Sequence, residues 1–479
     1  MISFMLNNEV EQISDVPPDL TLLNYLRENK KLTGSKEGCA SGDCGACTVV
    51  IAEKNDSGKK LEYKAVNSCV TFLSALEGKQ LITVEHLAKG EELHPVQQSL
   101  VDFHASQCGF CTPGFVMSMF ALYHQSNEPN RDDVLHALSG NLCRCTGYRP
   151  IIDATLNACH NKQPDKFDLE EERTLAQLDA LPREQQGIDG LYTPKTRQAL
   201  ANLKRNHPDA RLFAGSTDLA LESTQQLKTL NQLISVSQVP ELNVLQEEEN
   251  GVRIGAAVPL NKLKPLLLKH FPMLDELHWR FASMPIRNQA TLGGNVANAS
   301  PIGDMPPALL ALNASIVVDN GENKRNIDIN SFFTNYRQTQ LATDEWIESI
   351  FIPYLPQDSI SRAYKVSKRM EDDISAVCAV FNIEFDDKHQ ITRISSGFGG
   401  VAATPIKAVE LKQLEGKNWA AKSTYELGTE ILSQAFQPID DVRASAEYRQ
   451  KMITNLWRRF WLETNPSTAR IQTRVISHA

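Results

Sequence analysis

The chain has 479 residues, 42% of them hydrophobic and 22% charged, ordinary values for globular protein and enough for three or four domains of about 100–200 residues each. A net charge of -9 gives no electrostatic support to a nucleic-acid partner. No apolar run approaches the ~18 residues that a membrane span needs, so no membrane partner is expected. The N-terminus, Met1-Ile2-Ser3-Phe4-Met5-Leu6-Asn7-Asn8-Glu9, has no basic segment and soon turns acidic. It reads as no signal peptide, and a cytoplasmic protein is expected. Ten cysteines in that setting point to metal rather than to bridges. Cys159 and Cys378 stand alone and read as buried hydrophobes.

Residues 1–78 read as a small β-rich domain. Ile2–Leu6 alternates as a strand and Asn7-Asn8 turns it. Thr21-Leu22-Leu23-Asn24-Tyr25-Leu26-Arg27 has helical spacing with Thr21 as N-cap. Three thiols follow within nine residues, Cys39, Cys44 and Cys47, and Cys69 comes after a 21-residue gap. This C-x4-C-x2-C…C spacing is that of plant-type [2Fe–2S] sites. The residues between are small, and Gly42 and Gly45 can take positive φ, which lets amides reach the sulfurs. Adjacent thiols on so tight a loop suit disulfide geometry poorly, and structural zinc more often takes separated pairs. Thr48–Ala52 leaves the loop as a strand, Asn55–Gly58 turns, and Val66-Asn67-Ser68 brings back Cys69. The order of strand, helix, metal loop and hairpin resembles a plant-type ferredoxin.

Residues 82–160 carry a second set. Cys108-Gly109-Phe110-Cys111 is a C-x2-C, and Cys143-Arg144-Cys145 follows 31 residues later. Thr112-Pro113 reads as a helix start with Thr as cap and Pro at the first position. Phe115, Met119, Leu122 and Tyr123 form an apolar stripe that reads as core. Asn130 caps a further helix over Val134–Ser139, ended by Gly140. Both thiol pairs thus lie at helix ends, where amides stabilise thiolate. The spacing alone leaves zinc and iron open; C-x-C is unusual for zinc and favours a second [2Fe–2S] cluster.

Taken together, the four cysteines of the first set, Gln107-Cys108-Gly109-Phe110-Cys111-Thr112-Pro113-Gly114 and Gly140-Asn141-Leu142-Cys143-Arg144-Cys145-Thr146-Gly147-Tyr148-Arg149-Pro150 resemble the iron–sulfur portion of the xanthine dehydrogenase (molybdenum hydroxylase) family. The resemblance implies a multidomain α+β fold. Its parts are a β-grasp ferredoxin-like [2Fe–2S] domain, a helical-bundle [2Fe–2S] domain with the cluster nearer the molybdopterin, a vanillyl-alcohol-oxidase-type FAD domain and a C-terminal α+β flavoprotein subdomain. Residues 161–190 read as a linker with a solvated acidic run and a short helix over Leu175–Leu181.

Residues 191–358 hold the segments that resemble the family's FAD domain. Leu212-Phe213-Ala214-Gly215-Ser216-Thr217-Asp218-Leu219 is a strand, a small-residue turn and a helix start, able to offer amides and hydroxyls to phosphate. Farther on come Thr291-Leu292-Gly293-Gly294-Asn295 and Asp304. Gly293-Gly294 permits close approach to a ligand, and Asp304 can accept from ribityl or ribose hydroxyls. The resemblance further implies Phe281 near the flavin ring, Ile347 by the adenine and Lys365 at the flavin. It also implies Tyr336 near a nicotinamide pocket, and a loop Arg369–Ile374, Asp372 included, whose charges bear on whether NAD+ or oxygen is reduced. No G-x-G-x-x-G fingerprint occurs, so NAD+ is expected to dock on the flavin. In residues 360–470, Ala376–Ile383 and Ile391–Ile394 read as a hairpin, Gly397–Pro405 as a glycine-rich turn, Tyr448–Trp461 as helix, and the chain from about Thr464 as a polar tail.

Iron centres move electrons singly, and a flavin can pass them on in pairs. The resemblance therefore implies a small subunit of an electron relay in purine metabolism, without hydroxylation chemistry of its own. Electrons would come from a molybdopterin-binding large subunit, with hypoxanthine or xanthine as its substrate, through both clusters to FAD and NAD+, in a dimer of heterodimers. The equivalent subunit of an aldehyde or N-heterocycle dehydrogenase is the alternative. A zinc-binding assembly protein is a more distant one.

Overall fold

Asn7, held left-handed at φ 57°, turns strand β1 (Ile2–Leu6) back into β2 (Glu9–Ile13), as its short polar side chain allows. This hairpin opens a computed structural model that describes residues 1–182, 187–466 and 473. The chain forms two units. One comprises Met1–Val239, Pro259–Asn261 and Ala282–Ala290; the other comprises Pro240–Val258, Lys262–Phe281 and the chain from Thr291 onward.

In the first unit, β3 (Thr48–Lys54), β4 (Leu61–Asn67) and β5 (Gln80–Ile82) complete a sheet of order β2-β1-β5-β3-β4. Only the β1–β5 pairing in it is parallel, which is the β-grasp arrangement. Thr21 Oγ1 accepts from Asn24 N and starts α1 (Leu22–Asn24). The helix then widens into one π turn, Tyr25–Asn29, where the spacing predicted a plain helix. Leu22, Leu23, Tyr25 and Leu26 bury against Phe4 and Phe72.

Four helices follow: α2 (Pro95–Asp102), α3 (Thr112–Gln125), α4 (Arg131–Leu138) and α5 (Arg149–His160). The stripe expected on α3 is core, but burial extends over the whole of Gly114–Tyr123. The cause is that α3 packs on β3 and β4 as well as on α2, α4 and α5. Its cap is Cys111, with Pro at the second position. Thr112 is therefore inside the helix, and its hydroxyl pairs with Ser106 Oγ at 2.7 Å instead of capping. Asn130 caps α4 in a reciprocal box with Asp133, and this second acceptor starts the helix three residues earlier than expected.

The segment expected as a linker carries α6 (Lys166–Leu169) and α7 (Glu171–Asp179); its residues 183–186 lie outside the described residues. Phe167, Leu178 and Leu181 enter the core of the helical domain. Leu61 N donates to Glu171 Oε1 at 2.8 Å, and Lys54 pairs with Asp179. The acidic run is thus more than a solvated face. Beyond it, β6 (Leu191–Tyr192), α8 (Arg197–Asn206), β7 (Arg211–Phe213), α9 (Ala220–Thr224) and β8 (Leu233–Ser235) form a parallel sheet of order β6-β8-β7.

The second unit holds β9 (Leu245–Glu248), β10 (Gly251–Gly255), β11 (Ser315–Asp319), β12 (Lys324–Asp328), the ribbon β13 (Phe333–Asn335) and β14 (Gln338–Thr339), and β15 (Trp346–Pro353). Its main sheet is antiparallel in the order β12-β11-β15-β10-β9. The predicted hairpin is β17 (Val377–Phe385) with β18 (Ile391–Gly399), and β16 (Ser359–Val366) pairs on β17's other edge. Phe381, Trp419, Trp457 and Phe460 fill the core between this sheet and the helix Ala446–Thr464, longer at both ends than the apolar pattern. The expected polar tail falls largely on residues 467–472 and 474–479, outside the described residues. No helix among the described residues is long and apolar enough to cross a membrane.

Candidate functional site

Cys39, Cys44 and Cys47 ride one loop between α1 and β3, and Cys69 returns just after β4. Gly42 and Gly45 take φ of 84° and 67°, as their lack of a side chain permits. At Gly45 the fit is absolute: a Cβ would lie 2.2 Å from Gly140 O. The loop is held by Asn67 Nδ2 on Gly42 O at 3.2 Å, and by Thr224 Oγ1 and Gln225 Nε2 on Ala40 O at 2.7 and 2.9 Å. Cys39 Sγ lies within hydrogen-bond reach of Cys44 and Cys69, and Cys47 of Cys69. Ser41 N donates to Cys39 Sγ at 3.4 Å.

These four sulfurs cannot all shed their protons without a cation among them. Hydrogen bonding from Cys44 holds Cys39 well below the ordinary thiol range, and Cys69 does the same for Cys47. Cys44 and Cys69, which keep the shared protons, are pushed far above it. A shared metal core would replace those shared protons with positive charge, so the donor set fits an iron–sulfur group.

The second set comes from different elements. Cys108 is exposed after α2, Cys111 caps α3, and Cys143 and Cys145 precede α5, Cys143 buried and Cys145 exposed. Cys111 pairs with Cys143, and Cys108 with Cys145. Burial and the bond to Cys143 push Cys111 up to about 12. Burial acts against Cys143 too, yet the Thr146 hydroxyl and amide hold its thiol below the usual range. All eight predicted ligand positions are brought together in two groups of four, and Cys159 and Cys378 are core residues apart from both.

Spacing alone did not reveal that the two loops touch. Leu142 N donates to Cys44 O at 3.0 Å. Asn141, only 3% exposed, donates to Gly45 O at 3.1 Å and Thr48 Oγ1 at 3.3 Å, and accepts from Ser118 Oγ at 2.6 Å. One hydrogen bond and one peptide unit thus separate the residue Cys44 of one set from Cys143 of the other.

The segment Leu212–Asp218 lies in the first unit. Phe213 turns inward against Phe72, ring centroids 5.5 Å apart. Ser216, at φ 58°, donates its hydroxyl to Val70 O at 2.8 Å, so that proton is engaged by the ferredoxin-like domain and is withdrawn from the phosphate role expected of it. Ala214, Gly215 and Thr217 are half-buried and Asp218 is exposed.

In the second unit, Thr291 Oγ1 accepts from Gly294 N at 3.0 Å and caps the helix Leu292–Ala297. Gly293 is packed on Ala256, where a Cβ would come within 2.4 Å. It serves close packing, and Gly294 is the exposed member of the pair. Asn295 Oδ1 is buried with no hydrogen-bond partner among the described residues. A buried acceptor left open costs about 1–3 kcal/mol, so it fits a group that brings a donor, as FAD would.

Asp304 and Lys365, expected separately at the flavin, form one buried ion pair of 2.5 Å with side chains 6% and 2% exposed. Ser375 Oγ donates to the other carboxylate oxygen. Sequence gave no sign of Arg280, which is buried and reaches Lys365 O at 2.7 Å, Met370 O at 2.9 Å and Ser367 Oγ at 2.9 Å. It ties the base of the loop Arg369–Ile374, in which Asp372 is buried at φ 48°. Phe281 is half-buried, and Ile347 is buried in β15. Tyr336 is 58% exposed at the tip of the β13–β14 ribbon.

A further cluster joins the helical domain to Asp165 of the expected linker. His94 Nε2 and His124 Nε2 both meet Asp165 Oδ2, at 2.7 and 3.0 Å. Three such donors within 4.8 Å suggest a metal. However, Val96 N donates to His94 Nδ1, which puts the ring proton on Nε2, facing Asp165, and leaves no lone pair there for an ion. The group is a charged hydrogen-bond cluster that joins the start of α2, the end of α3 and the cap of α6.

Four domain families match the chain in series: the 2Fe-2S iron-sulfur cluster binding domain over residues 5–74, the [2Fe-2S] binding domain over 83–156, the FAD binding domain in molybdopterin dehydrogenase over 185–355, and the CO dehydrogenase flavoprotein C-terminal domain over 362–464. Xanthine dehydrogenase 1 of Arabidopsis thaliana is 32% identical, covering 98% of this chain and 40% of its own length. Xanthine dehydrogenase of Drosophila pseudoobscura is 35% identical, covering 86% and 35%. Among solved structures, a Cu,Mo-CO dehydrogenase chain aligns with a TM-score of 0.53 at 26% identity, over 56% of this chain and 94% of that one. Quinoline 2-oxidoreductase of Pseudomonas putida 86 shares the fold, with a TM-score of 0.53 at 22% identity, over 58% and 96%.

The fold and these sites define the iron–sulfur and FAD electron-transfer region of a molybdenum-dependent oxidoreductase. The chain belongs to the molybdenum hydroxylase family and is homologous to the N-terminal region of xanthine dehydrogenases. It spans 40% and 35% of the length of the two xanthine dehydrogenases above.

Proposed function

We propose that this chain is the electron-transfer small subunit of a xanthine dehydrogenase, working in the cytoplasm with a molybdopterin-binding large subunit, in a dimer of heterodimers. The observation that carries the reading is the convergence of eight thiols into two groups of four within a chain whose curated relatives include xanthine dehydrogenases at 32–35% identity.

In this reading Cys39, Cys44, Cys47 and Cys69 hold one [2Fe–2S] cluster, and Cys108, Cys111, Cys143 and Cys145 the other. In the second unit, Phe281, Thr291, Gly294, Asn295, Asp304, Ile347 and Lys365 hold FAD. When bound, the clusters supply one-electron transfer and the flavin pairs the electrons for NAD+. Asn295 Oδ1 accepts a cofactor donor. The Asp304–Lys365 pair keeps a cation and an anion fixed and dry, where they act more strongly than in water. Tyr336 and Asp372 border the nicotinamide. The equivalent subunit of an N-heterocycle hydroxylase is the second reading, favoured by the fold shared with quinoline 2-oxidoreductase.

Anaerobic purification followed by iron, zinc, sulfide and flavin analysis tests the reading. Four irons and one FAD per chain are expected. A colourless zinc protein refutes it. With its partner absent, the chain should oxidise NADH with an artificial acceptor and leave xanthine untouched; full xanthine turnover would remove the partner from the scheme.

A further inference from the structure

The loop after Cys143 is closed by four short contacts. Thr146 N lies 3.4 Å from Cys143 Sγ and Thr146 Oγ1 lies 3.2 Å from the same sulfur. Tyr148 N donates to Thr146 Oγ1 at 3.2 Å, and Cys143 N donates to Tyr148 OH at 3.0 Å. A hydroxyl oxygen that accepts an amide proton still has its own proton to give. The acceptor in reach of that proton is the sulfur. Cys143 is thus the thiol of its set that receives both an amide and a hydroxyl from one residue, and it is 9% exposed, so water competes poorly for it.

A hydrogen bond to a cluster thiolate draws negative charge off the sulfur. It stabilises the reduced cluster, which carries one more negative charge, over the oxidised one, and so raises the potential. We infer that Thr146 is a positioning residue that sets the potential of the cluster held by Cys108, Cys111, Cys143 and Cys145, through its hydroxyl on Cys143 Sγ. The inference rests on the cluster reading above and adds to it which residue makes this centre easier to reduce than it would otherwise be.

The alternative is that Thr146 only closes the loop. Three variants separate the two. Thr146→Val keeps the branched shape and loses the hydroxyl. Thr146→Ser keeps the hydroxyl. Tyr148→Phe opens the same loop at Cys143 N without touching a sulfur. Each is made in the full chain and titrated by EPR under redox control, with iron counted in the same samples. One of the two cluster signals should move in Thr146→Val, so that its reduced-to-oxidised ratio at the wild-type midpoint falls about threefold to tenfold. That is about 30–60 mV at ~59 mV per tenfold for one electron. The other signal, and both signals in Thr146→Ser and Tyr148→Phe, should stay in place. Should Thr146→Val fail to hold iron, Thr146→Ala removes the same hydroxyl and is expected to give the same shift. Unmoved potentials in a variant with four irons, or an equal shift in Tyr148→Phe, overturn the inference and leave the cluster reading standing. Wild-type protein without iron overturns the cluster reading itself.

Discussion

Asp165 offers the sharpest test of the packing. Its Oδ2 accepts from His94 and His124 at 2.7 and 3.0 Å, and its Oδ1 accepts from Phe167 N and Asp168 N at 2.8 and 3.0 Å. The two imidazoles are 2% exposed and the carboxylate 6%. Burial alone would raise its pKa, but the bonds from His124 and His94 hold it far below the carboxylate range. Burial likewise opposes a charged His124, and its bonds to Asp165 and Asp168 raise its pKa above the ordinary imidazole value regardless.

Replacing Asp165 by Ala strands a buried cation, at a cost of about 3–5 kcal/mol, and removes the cap of α6, at about 1 kcal/mol. Asp168, 3.5 Å from His124 Nδ1, recovers part of this. A net loss of about 4 kcal/mol accelerates amide exchange about 10³-fold. The acceleration should be confined to the last turn of α3, the start of α2 and α6, followed by hydrogen–deuterium exchange. Asp165→Asn, which keeps the capping acceptor, should lose about half as much.

The pH dependence has a definite sign. Asp165's contribution is whole above the unfolded carboxylate pKa near ~3.9 and is lost as pH falls through its depressed value. His124's is whole below ~6.5 and is lost as pH rises through its raised value. Protection of these helices should therefore fade on the alkaline side, and the Ala variant should lose that fade. Exchange within tenfold of wild type in Asp165→Ala would refute the reasoning.

Gly45→Ala places a Cβ 2.2 Å from Gly140 O at φ 67°. Neither backbone can yield cheaply, so iron content should fall by at least one cluster and thermal stability should drop; wild-type loading would refute the fit. On the proposed reading, Cys145→Ser, at an exposed candidate ligand, should slow reduction of FAD by purine through the proposed partner at least tenfold and leave reduction by NADH nearly intact. Equal losses would argue against the proposed order of centres.

Much of the site was written in the linear chain because cofactor chemistry constrains spacing. Cys39, Cys44 and Cys47 must reach one small core from one loop, and Gly42 and Gly45 must bend it. Likewise, Thr21 and Asn130 announced their helices because an N-cap acts within three residues. Other features depend on partners far away in the chain. Ser216 turned its hydroxyl to Val70, and Asp304 closed on Lys365. No local pattern encodes those choices, since groups 61 or 146 residues apart meet only after the backbone has folded.

Asn141 makes the distinction plainest. As a letter it is one amide between two glycine-flanked turns. Folded, it bonds three groups, on Gly45, Thr48 and Ser118, and pins one cysteine loop to the other. The sequence by itself determined which thiols belong to which set, because ligand spacing is a property of the chain. Only the tertiary structure decided that the two sets share a hydrogen bond, because burying Asn141 is tolerable only where every one of its polar atoms finds a partner.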